Sequence, residues 1–299
     1  MLEQSKRHAF IASLLRIPHL VVCINKMDLV DYDETVYERI VDEFSDFASR
    51  LAVTDIVFIP ISALNGDNVV DRSENMPWYE GPPLLYHLEH VHIASDRNLA
   101  DVRFPVQWVI RPQSAEHPDY RGYAGQVAGG ILRPGSPLVA LPSGRTTRVK
   151  AIDSHDGELD HAFPTMSVSV LLEDDLDVSR GDMLCGVDGR PAVVRELEAD
   201  VCWMAEEPLR EGGRYALKHT TNSVRALVDT VEHVIDVHTL APNGGRELEL
   251  NDIGRIHLRL SAPLVIDPYE RNRTTGSFIL VDETTNDTVA AGMIVGGRG

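Results

Sequence analysis

The sequence predicts two fold classes in series, an α/β region followed by an all-β region with two barrels. Up to about residue 95, β-branched apolar runs alternate with segments of helical period, the pattern of strands and helices around one sheet. From Arg97, short apolar runs recur about every ten residues between Gly, Pro, Asp and Ser, the spacing of a small closed barrel. A second such set begins near Val193, so we predict three parts with the bounds 1–95, 96–191 and 192–299.

The first predicted elements are a helix over Leu2–Arg16 and a strand over Leu20–Ile24. Apolar side chains recur on one side of the helix, and Pro18 separates it from the strand. The strand is the continuous apolar run LVVCI, which is typical of a strand buried on both faces of a parallel sheet. Cys23 is therefore expected to be buried.

The four residues after this strand, NKMD, suit the recognition of a purine base. In an open α/β sheet, ligands bind beyond the carboxyl ends of the strands, and these residues stand at such an end. The Asp28 carboxylate can accept hydrogen bonds from N1 and the exocyclic amine of guanine, a pair that adenine cannot supply. The Asn25 amide can donate to acceptors of the base, and the apolar stem of Lys26 can lie along it. This turn is thus predicted to read guanine.

A second strand end strengthens this interpretation. The strand Ile56–Ile61 ends in Ser62, Ala63 and Leu64, and the segment Glu34–Leu51 between the two strands has helical period. The three segments form a βαβ unit, which brings both strand ends to one edge of the sheet. We expect the backbone N–H of Ala63 to be free to donate to guanine O6, and Ser62 to brace the turn.

A structural alternative remains for the first of these turns. Asp28 or Asp31 could cap the helix that follows, and Asn25 could form an Asx turn. The three fixed residues of NKMD arise by chance in roughly one chain in a few tens of this length, so the motif is weak alone and gains weight from the second strand end.

Longer segments carry a resemblance to a known family. NKMD followed by SAL resembles the guanine-specificity motifs of the translation-factor class of GTPases. From Leu2 to about Val295, the chain resembles the large, GTP-binding subunit of bacterial sulfate adenylyltransferase. The segments that carry this resemblance are LEQSKRHAFIASLLRIPHLVVCINKMDLVDY, MPWYEGPPLL, FPVQWVIRP, DYRGYAGQVAGG and YALKHTTNSVRA. The resemblance implies the C-terminal part of a P-loop GTPase domain followed by two β-barrels, as in elongation factors.

The resemblance also implies a function. In that family, GTP hydrolysis by the large subunit drives the synthesis of adenylyl sulfate from ATP and sulfate. GTP is then the bound nucleotide, and the partner is a small subunit that performs the adenylyl transfer within a hetero-oligomer. Two alternatives are an elongation-factor-like GTPase and a non-enzymatic barrel scaffold for a partner subunit. The guanine contacts carry over to six residues: Asn25, Lys26, Asp28, Ser62, Ala63 and Leu64.

The motifs that hold nucleotide phosphates do not occur in these residues. Neither G-x-x-x-x-G-K-[ST] nor a strand ending in D-x-x-G is found, so Mg²⁺ and catalytic-water roles fall on no residue here. We expect an amino-terminally truncated chain that is inactive as a GTPase alone, with Mg²⁺ bound only by the full-length protein. The glycine clusters Gly122–Gly130 and Gly292–Gly297 lack the accompanying Lys and Ser or Thr, and are interpreted as turns of β structure.

Charge and cysteine content narrow the partners and the compartment. The chain has 28 basic and 46 acidic residues and a net charge of −18, which disfavours binding to nucleic acid. Its three cysteines form neither a CxxC pair nor a disulfide framework. The amino terminus lacks an apolar signal segment, and no run is long enough to span a membrane. We therefore predict a cytoplasmic protein with no membrane partner.

Two histidine-containing segments invite a metal interpretation. Among His87, His90 and His92, only the first two are neighbours on a helix, and no carboxylate follows at a zinc-like spacing, which favours a solvated face. The acidic segment Ser154–His161, SHDGELDH, has the Asp and Gly density of a hairpin loop, which we favour over a metal site.

Three other segments have no assigned chemistry. The segment Lys218–Asn222, KHTTN, could help to bind an anion, but cross-strand threonine pairs are the favoured interpretation. Trp78 and Tyr79 are predicted either to contact a partner or to form a lid packed on their own domain. Asp267–Arg273, DPYERNR, is a charged loop of uncertain purpose.

Overall fold

The computed structural model describes residues 3–51, 53, 55–91, 98–112, 120–237 and 239–299. The chain divides into two compact units. The α/β unit comprises Met1–Asp96 and Val237–Ala241, and the β unit comprises Arg97–Asp236 and Pro242–Gly299. Leu2, His92 and the predicted boundary at 95/96 lie outside the described residues.

The α/β unit is a βαβ arrangement with flanking helices. Strands β1 and β2 pair in parallel, with Val21 opposite Val57, and Phe44 and Phe47 of the second helix are buried against them. The Asp33 carboxylate caps that helix by accepting from Thr35 N at 2.8 Å. The elements are α1 Glu3–Leu14, β1 His19–Ile24, α2 Glu34–Ala48, β2 Asp55–Pro60 and α3 Leu84–His90, with a 3-10 turn at Met27–Val30.

The prediction that the first strand is buried on both faces is wrong. Leu20 and Val22 pack against the helical cluster, but Cys23, which lies on the opposite face, is exposed. Successive side chains of a strand point to opposite faces of the sheet. Among the described residues, the helices cover the face of Leu20 and Val22 and leave the face of Cys23 open.

The first barrel is a closed antiparallel sheet of six strands. Its order is β5-β9-β3-β4-β8-β6, the pairing of β5 with β6 closes it, and β7 extends β6 as a short hairpin. Phe104, Tyr123, Leu138 and Ile152 are buried in its core. The strands are β3 Arg103–Ile110, β4 Gly122–Gln126, β5 Pro137–Leu141, β6 Arg145–Ser154, β7 Gly157–Glu158, β8 Ser167–Leu172 and β9 Met183–Gly186.

The second barrel is built in the same way. Its order is β12-β17-β18-β10-β16-β13, closed by the pairing of β12 with β13, around a core that includes Trp203, Leu217 and Leu258. The strands are β10 Ala192–Trp203, β11 Leu209–Arg210, β12 Arg214–His219, β13 Asn222–Ile235, β14 Pro242–Asn243, β15 Glu247–Leu248, β16 Ile253–Ile266, β17 Ser277–Val281 and β18 Thr288–Arg298. The predicted fold class is confirmed, whereas the bounds between the three parts stay predictions.

Several of the clustered glycines lie in strands and not in the predicted turns. Gly125 is part of β4, where an added Cβ would lie 2.4 Å from Pro105 O. Gly292 is part of β18, where a Cβ would lie 2.2 Å from the Phe278 ring. These glycines allow close packing, so the turn interpretation is wrong for them. Gly130, with φ +68°, does occupy a turn conformation.

A buried ion pair joins the two barrels. The Arg103 guanidinium donates from Nε and Nη2 to the two carboxylate oxygens of Asp267, at 2.7 and 2.8 Å. Thr275 Oγ1 donates to Asp267 at 2.7 Å, and His219 Nε2 lies 2.8 Å from Thr275 O. All four residues are at most 2% exposed, and we call them the inter-barrel latch. The charged segment of uncertain purpose thus begins with a residue that holds the barrels together.

Candidate nucleotide-base site

The two predicted strand ends lie side by side. The parallel register places Ile24 opposite Pro60, and the pairing continues beyond both strands. Ile61 N donates to Ile24 O at 2.9 Å, and Met27 N donates to Ile61 O at 3.2 Å. The expectation that the two turns meet at one edge is confirmed.

The Asn25 side chain ties the two turns together. Its Oδ1 accepts from Lys26 N at 2.7 Å and from Ala63 N at 3.0 Å. Both partners are N–H donors, which identifies the accepting atom as the amide oxygen and leaves Nδ2 as a donor. Nδ2 has no protein partner within the described residues. The prediction of a free Ala63 N–H is wrong, because this amide is bonded to Asn25.

Ser62 holds the Asp28 carboxylate from the second turn. Ser62 is fully buried, its Oγ donates to Asp28 Oδ1 at 2.6 Å, and it accepts from Asn65 N at 3.3 Å. The bracing contact expected of Ser62 is therefore present. An ionised carboxylate can accept about four hydrogen bonds, and Asp28 uses one of them among the described residues. Asp28 is thus fixed in place while most of its acceptor capacity stays open.

The backbone at the first turn directs neighbouring side chains in opposite directions. Lys26 has φ 68° and ψ 32°, a left-handed conformation that is unfavourable for a residue with a Cβ. Its side chain is exposed, whereas Met27 is 1% exposed and packs with Ile24 and Met76. On the second turn, Leu64 is 85% exposed. The apolar stem of Lys26 and the apolar side chain of Leu64 are therefore both available to cover a flat base.

The alternative role of Asp28 and Asp31 as helix caps is wrong. Asp33 occupies that position, since its carboxylate accepts from both the backbone N–H and the hydroxyl of Thr35, at 2.8 and 2.7 Å. These bonds lower the pKa of Asp33. The spacing of Asp33 and Thr35 just before a helical pattern was the signal for this cap. Asp28 is left without a capping role.

Asp67 is a supporting residue that sequence reasoning missed. Its carboxylate accepts from Tyr32 Oη at 2.9 Å, from Ser73 Oγ at 2.6 Å and from Asn75 Nδ2 at 3.1 Å. The bond from Ser73 is the largest cause of a lowered pKa for Asp67. Ser62 N donates to Asp67 O at 3.2 Å, so this network holds the loop that carries the second turn. Asp67, Ser73 and Asn75 belong to one loop, between β2 and α3, and Tyr32 comes from the loop before α2, so no sequence motif marks the network.

The aromatic pair after the second turn packs on its own unit. Trp78 Nε1 donates to Tyr32 O at 3.1 Å, and the Trp78 ring centroid lies 5.2 Å from that of Tyr37. Tyr79 Oη donates to Phe58 O at 3.3 Å. Packing on its own domain is therefore confirmed, whereas a role as a lid stays a prediction.

The other candidate segments have structural explanations. His90 stacks on Tyr86 at 3.9 Å, and no group of three potential metal ligands occurs among the described residues. The acidic segment Ser154–His161 begins with the predicted hairpin, in which β6 pairs with β7. Thr220 and Thr221 form the turn between β12 and β13, so the prediction of cross-strand threonines is wrong. Within the described ranges, no helix is both long and apolar enough to cross a membrane.

Two protein families match the chain. Residues 1–117 match the family described as elongation factor Tu GTP binding domain, and residues 196–295 match GTP-eEF1A C-terminal domain-like. Among solved structures, Sup35 complexed with GDP is similar over 99% of this chain and 74% of its own, with a TM-score of 0.61 and 25% identity.

Curated relatives are more similar in sequence. The bifunctional enzyme CysN/CysC of Mycobacterium tuberculosis is 54% identical over 99% of this chain and 48% of its own length. Sulfate adenylyltransferase subunit 1 of Bacteroides fragilis is 48% identical over 99% of this chain and 61% of its own length. The chain thus spans about half to three fifths of these relatives. Similarity at this level over nearly every residue shows that the chain belongs to the sulfate adenylyltransferase subunit 1 family, within the class of GTPases that share the elongation-factor fold.

Proposed function

We propose that this chain supplies the guanine-reading part of the GTP-binding subunit of a sulfate adenylyltransferase. The observation that carries the proposal is the junction of the two turns, where Asn25 bonds Ala63 N at 3.0 Å and Ser62 bonds Asp28 at 2.6 Å. This junction fixes a carboxylate and an amide donor side by side and leaves both with unused hydrogen-bonding capacity.

Each group of the junction has a role toward the base. The Asp28 carboxylate accepts from N1–H and the 2-amine of guanine, and Asn25 Nδ2 donates to a ring or carbonyl acceptor. The stem of Lys26 and the side chain of Leu64 cover the faces of the base. Ala63 N–H reaches guanine O6 only by sharing its hydrogen bond with Asn25 or exchanging it, so we assign Ala63 first to positioning Asn25.

The activity of the whole protein follows from family membership. GTP hydrolysis coupled to the formation of adenylyl sulfate from ATP and sulfate makes the protein part of a nucleotidyltransferase. Its partner is the small subunit, which performs the adenylyl transfer in a hetero-oligomer. Phosphate binding, Mg²⁺ binding and hydrolysis are assigned to no residue of this chain, since the matching motifs do not occur in its sequence. A cytoplasmic location remains a prediction of the sequence.

Base selectivity in the coupled reaction tests the proposal. The natural protein that carries this chain is combined with the small subunit, ATP and sulfate, and adenylyl sulfate is measured with GTP, ITP or XTP added. GTP is expected to stimulate synthesis most, because ITP lacks the 2-amine that Asp28 accepts. Asp28→Asn is expected to transfer stimulation from GTP to XTP, since an amide can donate to the carbonyl that xanthine carries in place of the amine. Asp31→Asn, an exposed carboxylate on the same turn, is the control and should behave as wild type.

Three other outcomes would contradict this function. If the protein forms a stable complex with the small subunit but no added nucleotide changes the rate of adenylyl sulfate synthesis, the scaffold alternative is favoured. Binding of aminoacylated transfer RNA without association with the small subunit would favour the elongation-factor alternative. Equal stimulation by GTP and ITP, unchanged in Asp28→Asn, would remove Asp28 from its role.

A further inference from the structure

The first barrel carries an open groove on its outer face that the proposed function does not use. The groove has a volume of about 730 Å³ and lies between β3, β4, β8, β6 and β7. Trp108 stands at one side of it and is 66% exposed. We call it the Trp108 groove. Trp108 lines one end, Ala124 and Ser169 line the centre, and the other end is lined by Tyr120, Asp153 and Glu158.

The strand register sets the shape of the groove. Directly opposed residues run in one row across five strands, in the order Trp108, Ala124, Ser169, Asp153 and Glu158. Residues opposed in this way share one face of the sheet. Three strand spacings of about 4.8 Å separate Trp108 from Asp153, which gives about 14 Å between the aromatic and the acidic end.

Small side chains keep the centre of this row open. Ala124 and Ser169, which share the face of Trp108, form its middle, and neither side chain extends beyond one heavy atom past Cβ. The sequence and register of the strands therefore produce the groove, with a floor of small residues between an aromatic end and an acidic end.

The two ends differ in chemistry. At the acidic end, Tyr120 Oη donates to Asp153 Oδ2 at 2.8 Å, and Glu158 lies directly opposite Asp153. Burial, with a further contribution from Asp153, raises the pKa of Tyr120 to about 12, so the phenol stays a donor that orients this carboxylate. Glu158 is exposed and has no ion-pair partner within the described residues. Arg180 and His155 also line the groove, so its described lining holds two carboxylates, one guanidinium and one imidazole.

We propose that the Trp108 groove docks an extended segment of the partner subunit. That segment presents an apolar or aromatic side chain to Trp108 and a Lys or Arg to Asp153 and Glu158, about 14 Å away. Exposed tryptophans over a polar rim are the side chains that most often dominate interface energies. Two carboxylates at the far end favour a cationic segment and disfavour a phosphate-bearing ligand. The identity of the partner rests on the proposed function, whereas the chemistry of the segment rests on the groove.

Association with the separately purified small subunit tests this inference, with the same natural protein as in the coupled assay. Trp108→Ala is expected to raise the Kd at least about 10-fold, as for a central tryptophan of an interface. Glu158→Lys is expected to raise it by a similar factor and to reduce the salt dependence of the association rate. The controls are Phe163→Ala, an exposed aromatic on the same barrel, and Asp160→Lys, an exposed acid near Glu158; both should stay within about 2-fold of wild type.

Tryptophan emission gives a second measurement. Of the three tryptophans, Trp203 is buried and Trp78 is half-buried, so Trp108 is the most exposed. Binding should shift the emission to shorter wavelength, and Trp108→Phe should abolish the shift while leaving the circular dichroism spectrum unchanged.

The outcomes separate this inference from the proposed function. If Trp108→Ala and Glu158→Lys bind the small subunit with the wild-type Kd, and GTP still stimulates synthesis, the groove assignment alone is overturned. No association of the wild-type chain would overturn both the groove assignment and the partner. Sedimentation of the same samples covers a third case: self-association that Trp108→Ala abolishes would assign the groove to a second copy of this chain and overturn the proposal.

Discussion

The candidate nucleotide-base site and the inter-barrel latch are built from the same pair of groups. In the first, the Ser62 hydroxyl donates to Asp28 at 2.6 Å, and in the second the Thr275 hydroxyl donates to Asp267 at 2.7 Å. Asp267 also receives two hydrogen bonds from Arg103 and is 1% exposed. Asp28 is partly exposed and has no ion-pair partner within the described residues.

This difference indicates which of the two carboxylates is available to a ligand. Asp267 has its charge compensated inside the protein, so its contribution is to hold two barrels together. Asp28 is oriented by one hydroxyl, but its charge and most of its lone pairs are left for another molecule. A polar group that is held in place but keeps unused hydrogen-bonding capacity is therefore the feature of the candidate site, and a fully bonded one is the feature of the structural contact.

Loss of the latch carboxylate is expected to have the largest effect. Asp267→Ala leaves the Arg103 charge buried and unpaired, which should lower the free energy of unfolding by about 3–5 kcal/mol. Urea denaturation followed by circular dichroism measures it. Glu247→Ala, which breaks the exposed pair with Arg210, is the control and should cost less than about 1 kcal/mol.

A double variant sharpens the same comparison. Arg103→Met with Asp267→Leu replaces both charges by apolar side chains and should recover most of the lost stability. Equal stability of Asp267→Ala and wild type would show that the ion pair does not hold the barrels.

The pH dependence of stability should report the buried histidine of the latch. Burial lowers the pKa of His219 below its ordinary value of 6.5, while its neutral ring bonds Thr275 O and interacts with the charge of Asp267. Below pH 6.5 the unfolded chain binds a proton that the folded chain does not, so stability is lost as pH falls from 6.5 toward the folded pKa. The slope from this group is at most about 1.4 kcal/mol per pH unit.

His219→Gln tests this assignment, since the amide can still donate to Thr275 O. The difference in unfolding free energy between wild type and variant should change with pH below 6.5 and stay constant above it. His155→Gln, on an exposed loop, is the control. A difference that does not vary with pH would exclude His219 as the titrating group.

Removal of one hydroxyl from each region should give the smallest and most selective effects. Thr275→Val is expected to lower the free energy of unfolding by about 1–3 kcal/mol without changing guanosine binding. Ser62→Ala is expected to weaken guanosine binding about 5-fold or more, because Asp28 loses its orientation. Ser49→Ala, whose hydroxyl bonds Asp46 O, is the matched control. Reversed effects of the first two variants would contradict the division between site and latch.

The placement of the candidate site's residues was largely predictable because its parts are local, while their role toward a base stays a prediction. An apolar strand followed by Asn25 to Asp28, and a second strand followed by Ser62 and Ala63, place their polar groups through strand geometry alone. The same reasoning failed for the state of the Ala63 amide, because a side chain of the neighbouring turn competes for it. It failed for Cys23, because a continuous apolar run does not show which face is covered.

The latch was not predictable from local pattern. Arg103 and Asp267 are separated by 164 positions, and Asp267 stands in a segment whose charge alone suggests a surface. Only closure of two barrels brings them together. The strand glycines were misassigned for a related reason, since the atoms that exclude a Cβ at Gly125 and Gly292 belong to neighbouring strands.

The most direct test is the base selectivity of the junction between the two turns, measured with nucleosides that carry no phosphates. Saturation-transfer NMR of the full chain with guanosine, adenosine and xanthosine detects weak binding and needs no phosphate contacts. Wild type and Asp31→Asn should favour guanosine, and Asp28→Asn should favour xanthosine, with a change in relative affinity of about 10-fold or more. An unchanged preference for guanosine in Asp28→Asn, or equal binding of all three nucleosides by wild type, would contradict the central claim.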